Sequence, residues 1–421
     1  MRERLMRTAC ALVSRSVAPC LALCVALWIA AASSGAADAQ RAVRASTHRA
    51  LSEIRVAMEA RRFEDAMAQI AALAPRVRGE PFERALLEET RAYALLEQER
   101  YDEAIPALEA ALAENQLPDA AVANLHYNLA QLQLMAGRAA DAAGTLEALL
   151  AAQPAATTAA ARALVGHAYY MLERYPEARR ELERAVAADA QPSEAWLQLL
   201  LAICWEQQAF DRARDVLRDL VARFPEERRY WVDLSAISMQ LEDEPLAVAS
   251  LELAEDAGLL EGEDLLRLVR LNLHLDAPAR AGRLLEDALA AGRVETSAER
   301  LELLADAWVM AREYERAIDA LRRAREMVPE RRAALALREG ELLVHLERWS
   351  EAIVALAGAT ESESEDVAAQ ANLLLGVAAY YRGDYAQSLV AFGRAEASET
   401  TRSQARQWVE RTLFRVAPGR S

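Results

Sequence analysis

A small side chain recurs along the chain at steps of 34 to 38 residues, and this spacing limits what the chain can fold into. In most units an aromatic residue stands three places before it and a leucine four places after it, as in YDEAIPALEAAL from Tyr101. The small residues are Ala66, Ala104, Ala142, Ala178, Ala213, Ala247, Ala281, Ala317, Ala352 and, in the tenth place, Ser388. Fixed self-similarity near this length indicates a helical solenoid, in which the alanine lets two helices approach closely.

A Leu-Gly-like pair stands thirteen and twelve places before several of the alanines, for example at Val165-Gly166. With this pair in a first helix and the alanine in a second, the unit resembles the tetratricopeptide repeat. One helix pair cannot bury its apolar face alone, so neighbouring units must stack. We therefore predict an all-α, right-handed superhelical solenoid of about ten helix pairs over residues 40–400. A capping helix and tail should follow at residues 401–421.

Some units depart from the pattern at the turn between their helices. The sixth and seventh have EPLA and APAR where the aromatic residue is expected, and the third has Ala139. We expect looser turns in these three units. Prolines near the ends of several units, among them Pro75 and Pro225, are expected to stop the second helix.

Residues 1–39 have the composition of a secretory signal peptide. Four arginines precede the apolar run SVAPCLALCVALWIAAA, and small residues then lead to ADA at Ala37–Ala39. This order of a basic, an apolar and a small-residue region predicts a secretory signal peptide that is cleaved after Ala39. The alternative is an uncleaved segment that anchors the protein in the inner membrane, although the run is short for a span. After cleavage we expect no stable membrane insertion.

The charge of the chain argues against nucleic acid as a partner. Removing the leader takes the formal net charge from −16 to −18, whereas binding to phosphates requires basic charge. The three leader cysteines leave with it, so Cys204 has no disulfide partner within the chain. We expect Cys204 to be a buried, unreactive side chain.

Motifs of catalysis and cofactor binding are missing from the sequence. It has no glycine-rich phosphate loop, HExxH, CxxC or G-x-S-x-G. The five histidines lack a second metal-ligand type at a convincing helical spacing. We therefore predict that the chain is not an enzyme and has no cofactor, metal or catalytic residues.

A partner is expected in the groove that the first helices of such a solenoid line. Positions 18, 15, 11, 8 and 7 places before each alanine should face it. The predicted binding residues are Asn124, Tyr127, Gln131, His167, Tyr170, Gln198, Trp205, Arg229, Met239, Arg270, Glu299, Glu302 and Asp306. Aromatic, amide and charged groups of this kind are typical of peptide-binding surfaces. The alternative is that these residues pack between units, and that the acidic trio of the eighth unit is a solvated face.

Sequence segments that are not part of the repeat consensus support a narrower resemblance. The pieces YNLAQL, WLQLLLA, YWVDLS, LELAEDAGLL and LELLADAW occur in this order between residues 127 and 308. In these, and over roughly residues 50–395, the chain is similar to a family of exported bacterial tetratricopeptide proteins described as components of the TonB system. The chain departs from the family in lacking lysine and in its degenerate turns.

The resemblance implies a periplasmic accessory of the TonB–ExbB–ExbD machinery of Gram-negative bacteria, with protein or extended peptide segments as partners. TonB-type proteins have an extended proline- and lysine-rich segment, which an acidic groove lined with aromatic residues would suit. Two other functions stay open from the sequence. One is a general scaffold for assembly of the cell envelope, and the other is a recognition subunit of a separate enzyme.

Overall fold

The computed structural model describes residues 43–152 and 157–416 of the 421-residue chain. The predicted leader lies outside these described residues. Among the described helices, none is long and apolar enough to cross a membrane. Contacts divide the chain into two compact units, one ending at Pro225 and the other beginning at Glu226.

The first unit consists of five helix pairs in its described part. They are α1 (Ala45–Glu59), α2 (Phe63–Val77), α3 (Pro81–Leu96), α4 (Tyr101–Ala113), α5 (Asp119–Met135), α6 (Ala139–Ala152), α7 (Ala159–Met171), α8 (Tyr175–Ala188), α9 (Glu194–Glu206) and α10 (Phe210–Arg223). The odd-numbered helix of each pair is helix A, and the even-numbered helix is helix B. These pairs are repeats one to five.

The second unit consists of five more pairs, repeats six to ten, and a final helix. They are α11 (Arg228–Gln240), α12 (Glu244–Asp256), α13 (Gly262–His274), α14 (Pro278–Ala290), α15 (Ala298–Met310), α16 (Tyr314–Met327), α17 (Arg332–His345), α18 (Trp349–Ala357), α19 (Glu365–Arg382), α20 (Tyr385–Ala395) and α21 (Arg402–Val416). The predicted all-α fold class is confirmed.

The recurring alanine is the point at which helix B meets helix A. All nine alanines are fully buried, at 0% exposure. Ser388 takes the tenth place and is also fully buried. Its hydroxyl donates a 2.9 Å hydrogen bond to the carbonyl oxygen of Gly376 on helix A, which satisfies the one polar group that the substitution introduces.

The leucine four places after the alanine fills the space beside it, and in three repeats a glycine on helix A makes room for it. A Cβ atom added to Gly166 would lie 2.6 Å from Cγ of Leu182, and one added to Gly376 would lie 2.5 Å from the ring of Phe392. The third such glycine is Gly340, which faces Leu356. The predicted Leu-Gly-like pair therefore marks close packing between the two helices of a repeat.

The turn between helix A and helix B has one backbone conformation in all ten repeats. The residue five places before the alanine has a positive φ each time, although it is glycine only at Gly137 and Gly383. The next N–H donates to the carbonyl five residues earlier, for example from Ala277 to Asn272 at 2.8 Å. This is the bond that closes a helix end through a left-handed residue. The prediction of looser turns in repeats three, six and seven is therefore wrong for the backbone, because the turn depends on this bond and not on the aromatic residue.

One proline prediction is also wrong. Pro75 lies inside α2, which continues to Val77. The ring is exposed to solvent, so water can hydrogen-bond the carbonyl that a proline leaves without its N–H partner. Pro225 behaves as expected, since α10 ends just before it at Arg223.

Candidate partner-binding face

The predicted binding residues all lie on helices A, at the five positions counted back from the alanine. We call these positions of each repeat its helix-A face. The residues of repeats three to five belong to the first unit, and those of repeats six to eight belong to the second. Each unit therefore has its own helix-A face with its own chemistry.

Repeat three presents an amide and a phenol on α5. Asn124 is exposed, Tyr127 is half-buried, and Gln131 is only 4% exposed. The side-chain amide of Gln131 donates to the hydroxyl of Tyr127 at 3.2 Å. The carbonyl oxygen of Gln131 and that of its buried neighbour Asn128 accept no hydrogen bond. Two acceptors without donors thus lie on α5, one at a face position (Gln131) and one just outside the face positions (Asn128).

Repeat four presents His167 and Tyr170 on α7. Burial lowers the pKa of the His167 imidazole to about 4, because the charged form would lose its hydration. Its Nδ1 atom is buried and makes no hydrogen bond. The Tyr170 ring packs on that of Tyr175 at the turn, with the ring centres 5.9 Å apart. His167 is therefore a neutral polar group at neutral pH, beside a half-buried aromatic side chain.

In repeat five, an aromatic residue of α9 packs on the aromatic residue of the turn, as in repeat four. The rings of Trp205 and Phe210 meet edge to face with their centres 5.4 Å apart. Gln198 is only 6% exposed, and its amide donates to Glu194 at 2.9 Å. Cys204 is fully buried, and burial raises the pKa of its thiol to about 11. The expectation of a buried and unreactive Cys204 agrees with this environment.

The burial of Gln131 and Gln198 corrects the predicted surface. The count from the alanine places both on the helix-A face, but both side chains are buried, at 4% and 6% exposure. Tyr127, Tyr170 and Trp205 stay partly accessible.

In repeat six, both predicted residues already have contacts within the chain. The Arg229 guanidinium lies over the Tyr230 ring, 4.6 Å from its centre, and donates to the Tyr230 hydroxyl at 2.8 Å. Met239 packs against the apolar core of the second unit. Neither residue is an open binding group.

Repeats seven and eight bring Arg270 and Glu299 together at a cavity of about 310 Å³. Glu263 lines the same cavity and lies 3.6 Å from the Arg270 guanidinium. A hydrogen bond with Ser297 lowers the pKa of the Glu299 carboxyl. The cavity thus carries both signs of charge, and it does not favour one sign of ligand.

The other two acidic residues of repeat eight are paired with arginines of repeat nine. Glu302 lies 2.7 Å from Arg331 and 3.5 Å from Arg338, and Asp306 also pairs with Arg338. A cationic segment would have to displace these arginines. The predicted acidic trio is therefore neutralised in large part by its own chain.

Two sets of residues in the second unit were missed by the sequence prediction. The first is an aromatic cluster in repeats nine and ten, where the rings of Trp349 and Tyr381 stack with their centres 4.7 Å apart. Tyr381 stands seven places before Ser388, so the same count could have found it. The second set is a cleft between the turn of repeat seven and the end of α15. It depends on two repeats at once, and no single motif signals it.

Metal-binding chemistry is not evident in the described part of the chain, where no three histidine, cysteine, aspartate or glutamate residues are grouped to hold an ion. What the described residues form is an array of helix pairs with polar and aromatic groups along helices A. This is the architecture of a repeat protein that binds other proteins.

Comparison with known proteins identifies the repeat. Residues 89–157, 205–258 and 337–403 match the tetratricopeptide repeat family. These segments make up somewhat less than half of the chain. The helix pairs within these segments are thus similar to tetratricopeptide repeats. None of the curated proteins matches the sequence.

Several solved structures similar to the chain are described as tetratricopeptide or TPR proteins. One is a tetratricopeptide repeat protein from Parabacteroides merdae ATCC 43184, with 16% identity, a TM-score of 0.38 and coverage of 67% of this chain and 93% of that one. Another is YrrB, described as a TPR protein with an unusual peptide-binding site, with 18% identity, a TM-score of 0.35 and coverage of 46% and 98%. At such identities and scores, nothing about binding passes from these proteins to this chain.

Proposed function

We propose that the chain is a periplasmic tetratricopeptide scaffold that binds protein partners and acts as an accessory component of TonB-dependent energy transduction at the outer membrane. The repeat architecture supports the scaffold role. The non-consensus pieces between residues 127 and 308, which are similar to the exported family linked to the TonB system, support the narrower role. In this proposal the chain has no catalytic activity of its own.

The observation that carries the proposal is a set of buried polar atoms without hydrogen-bond partners on helices A of repeats three and four, at or next to the helix-A face. They are Asn128 Oδ1, Gln131 Oε1 and His167 Nδ1. Leaving a buried acceptor unpaired costs about 1–3 kcal/mol. A partner that donates hydrogen bonds to these atoms would recover that free energy, so the face is suited to an incoming polypeptide backbone.

The occupant that we propose is an extended segment of a protein partner, with TonB, ExbB and ExbD as the candidates. Its backbone N–H groups would reach the amide and imidazole acceptors at the edge of the face. Its apolar side chains or prolines would lie against Tyr127, Tyr170 and Trp205. An extended, proline-containing chain is favoured because its conformation costs little entropy to fix.

The distribution of charge predicts how binding to the helix-A face should depend on salt. The helix-A face of repeats three to five carries few charges, and the acidic residues of repeat eight are largely paired. We therefore expect binding to repeats three to five to depend weakly on salt. A steep loss of affinity with added salt would instead assign recognition to unpaired carboxylates.

Peptide binding to single-residue variants tests the face. The probe is a fluorescently labelled peptide copied from the proline- and lysine-rich segment of TonB from the same bacterium. Tyr127→Ala, Trp205→Ala and Gln131→Leu should each weaken binding by about tenfold or more. Phe414→Ala is the matched control, because Phe414 is an aromatic residue 70% exposed on α21, and it should leave the affinity unchanged.

Cross-linking in intact cells tests the assignment to the TonB system. Recovery of TonB, ExbB or ExbD with the wild-type chain, and its loss with Tyr127→Ala and Trp205→Ala, is the expected result. Recovery of cell-wall or outer-membrane assembly proteins alone would assign the scaffold to envelope assembly. Unchanged affinity in all three face variants would remove the helix-A face as the binding surface.

A further inference from the structure

A second cleft lies between repeats seven and eight, apart from the helix-A face of repeats three to five, and of the residues that line it only Met310 is at a helix-A position. The cleft has a volume of about 560 Å³, and the turn and first residues of α14 form it with the end of α15. We infer that this cleft binds an acidic segment of a partner protein. The residues that carry the inference are Asp276, Pro278, Arg280, Arg283, Met310 and Arg312.

In other repeats an aromatic turn residue packs on a ring from the next repeat, but in this cleft neither position has a ring. In repeat nine the aromatic residue of the turn, Trp349, is stacked on Tyr381 of repeat ten with the ring centres 4.7 Å apart. In repeat eight the turn residue Tyr314 likewise meets His345 of repeat nine at 5.0 Å. In repeat seven, Pro278 takes the place of the turn aromatic.

The position in repeat eight that would pack on this turn residue also lacks a ring. Met310 stands seven places before its alanine, where repeats nine and ten have His345 and Tyr381. It is 52% exposed. The backbone turn is the same in all repeats, so the helices keep their places and the space of the missing rings stays open as a cleft. An apolar side chain of a ligand can occupy the place that a ring fills elsewhere.

The charge of the cleft identifies its ligand. Among the described residues, the guanidinium groups of Arg283 and Arg312 form no hydrogen bond or ion pair, and both side chains are exposed. Arg280 pairs with Glu252 at 2.8 Å. Asp276 is the one acidic residue among those lining the cleft. Two free guanidinium groups therefore face a ligand in a chain of net charge −16.

The equivalent cleft of the first unit has the opposite charge, which shows that the arginines are not a feature of the repeat. Between repeats two and three, a cavity of about 290 Å³ lies beside Tyr101 and Met135. Its charged residues are Glu99, Asp102 and Glu103, with Arg100 bound to Glu103 at 2.7 Å. An acidic ligand would be repelled there and attracted at repeats seven and eight.

Guanidinium groups bind carboxylates through paired hydrogen bonds, and this pairing is stronger than that of neutral groups. The first residues of α14 line the same cleft, and the N-terminal end of a helix favours negative charge. A segment with two or more aspartate or glutamate residues next to an apolar residue matches these features. Its carboxylates would pair with Arg283 and Arg312, and its apolar side chain would lie against Met310 and Pro278.

Fluorescence anisotropy with the full chain tests the cleft. The probe is a fluorescein-labelled peptide of alternating glutamate and leucine, and its companion has glutamine in place of every glutamate. The double variant Arg283→Gln/Arg312→Gln should weaken binding of the glutamate peptide by about tenfold or more. The glutamine peptide should bind neither protein.

The matched control is Arg218→Gln/Arg332→Gln, which removes two other exposed arginines that form no side-chain pair in the described chain. It changes the net charge equally and should leave the affinity within about twofold. Equal weakening in both double variants would reduce the effect to overall charge and overturn the inference. So would displacement of the probe by inorganic phosphate as effectively as by unlabelled peptide, since the cleft would then bind any anion. The helix-A variants Tyr127→Ala and Trp205→Ala leave this cleft intact, so the two proposals fail separately.

Discussion

Repeats four and seven have the same backbone turn but are packed differently. In repeat four, Tyr175 covers the turn and packs on Tyr170, and Gly166 on helix A admits Leu182 from helix B. In repeat seven, Pro278 leaves the turn uncovered, and the glycine lies on helix B instead. A Cβ atom added to this residue, Gly282, would lie 2.8 Å from the ring of Trp308, which belongs to repeat eight.

The comparison separates what fixes the fold from what sets the surface. The buried alanine and the left-handed turn residue occur in both repeats, so they fix the helix pair. The turn aromatic and the residue seven places before the next alanine vary, and they decide whether a cleft is filled or open. Binding surfaces can therefore differ between repeats without a change in the helical array.

The largest predicted effect is on the pH dependence of stability, and in repeat four it comes from His167. Burial lowers the pKa of its imidazole from 6.5 to about 4. Between these values the unfolded chain binds a proton that the folded chain does not bind. The stability is therefore complete above pH 6.5 and is lost as the pH falls towards 4, by up to about 3 kcal/mol. Urea unfolding across this range should show the wild type losing stability relative to His167→Gln as the pH falls, since the other titrating groups are the same in both chains.

Repeat six should show the opposite dependence through Asp233 on α11. Burial raises the pKa of its carboxyl from 3.8 to about 6, against the lowering effects of Arg229 and Arg267. The folded chain then holds a proton that the unfolded chain has released. Stability from this group is present below pH 3.8 and is lost as the pH rises through 6, by up to about 3 kcal/mol. The variant Asp233→Asn should remove this slope, and slopes of one sign at both sites would contradict the comparison.

The next largest predicted effect is the loss of stability caused by a substitution at Gly282. Gly282→Ala brings a methyl group against three ring atoms of Trp308, which is only 1% exposed and cannot move aside. The expected loss of stability is about 1–3 kcal/mol, measured as a shift of the urea midpoint. Gly144→Ala is the control on α6, because nothing lies within 4 Å of the added Cβ. That change should stabilise the chain by about 0.5–1 kcal/mol.

A double variant makes this test specific. In Trp308→Ala the ring is gone, so adding Gly282→Ala to it should cost little or nothing further. Equal costs of Gly282→Ala with and without the tryptophan would show that the glycine is needed for another reason. The predicted contact between repeats seven and eight would then not determine the packing.

The fold could be predicted from the sequence because its determinants are local and repeated. The buried alanine and its leucine recur at nearly constant steps, and one helix pair implies the next. The uniform turns could not be predicted, since residues such as Glu173 and Asp276 adopt a positive φ that is usually left to glycine. The turn is instead fixed by a backbone hydrogen bond, which any residue except proline can donate and which therefore leaves little trace in the sequence.

The candidate site could be predicted only as a set of positions. Counting from the alanine placed Tyr127 and Trp205 on the helix-A face, but it could not show that Gln131 is buried. Nor could it show that Glu302 meets arginines of the next repeat, since such pairs depend on side chains that lie about 30 residues apart in the chain. Charge and exposure at a position are properties of two neighbouring repeats, and a single repeat does not determine them.

The smallest expected effect on stability is that of restoring the missing ring in repeat seven. Pro278→Tyr should place an aromatic side chain against Met310, as Trp349 lies against Tyr381 in repeats nine and ten. The ring gains apolar contact, but the first position of α14 loses the preorganised backbone of proline. These effects oppose each other, so the urea midpoint should change by less than about 1 kcal/mol. Because the tyrosine fills the cleft, affinity for the glutamate–leucine peptide should nevertheless fall, which separates closure of the cleft from damage to the fold. If the peptide bound Pro278→Tyr as tightly as the wild type, the open turn of repeat seven would have no part in recognition, and repeats four and seven would differ only in packing.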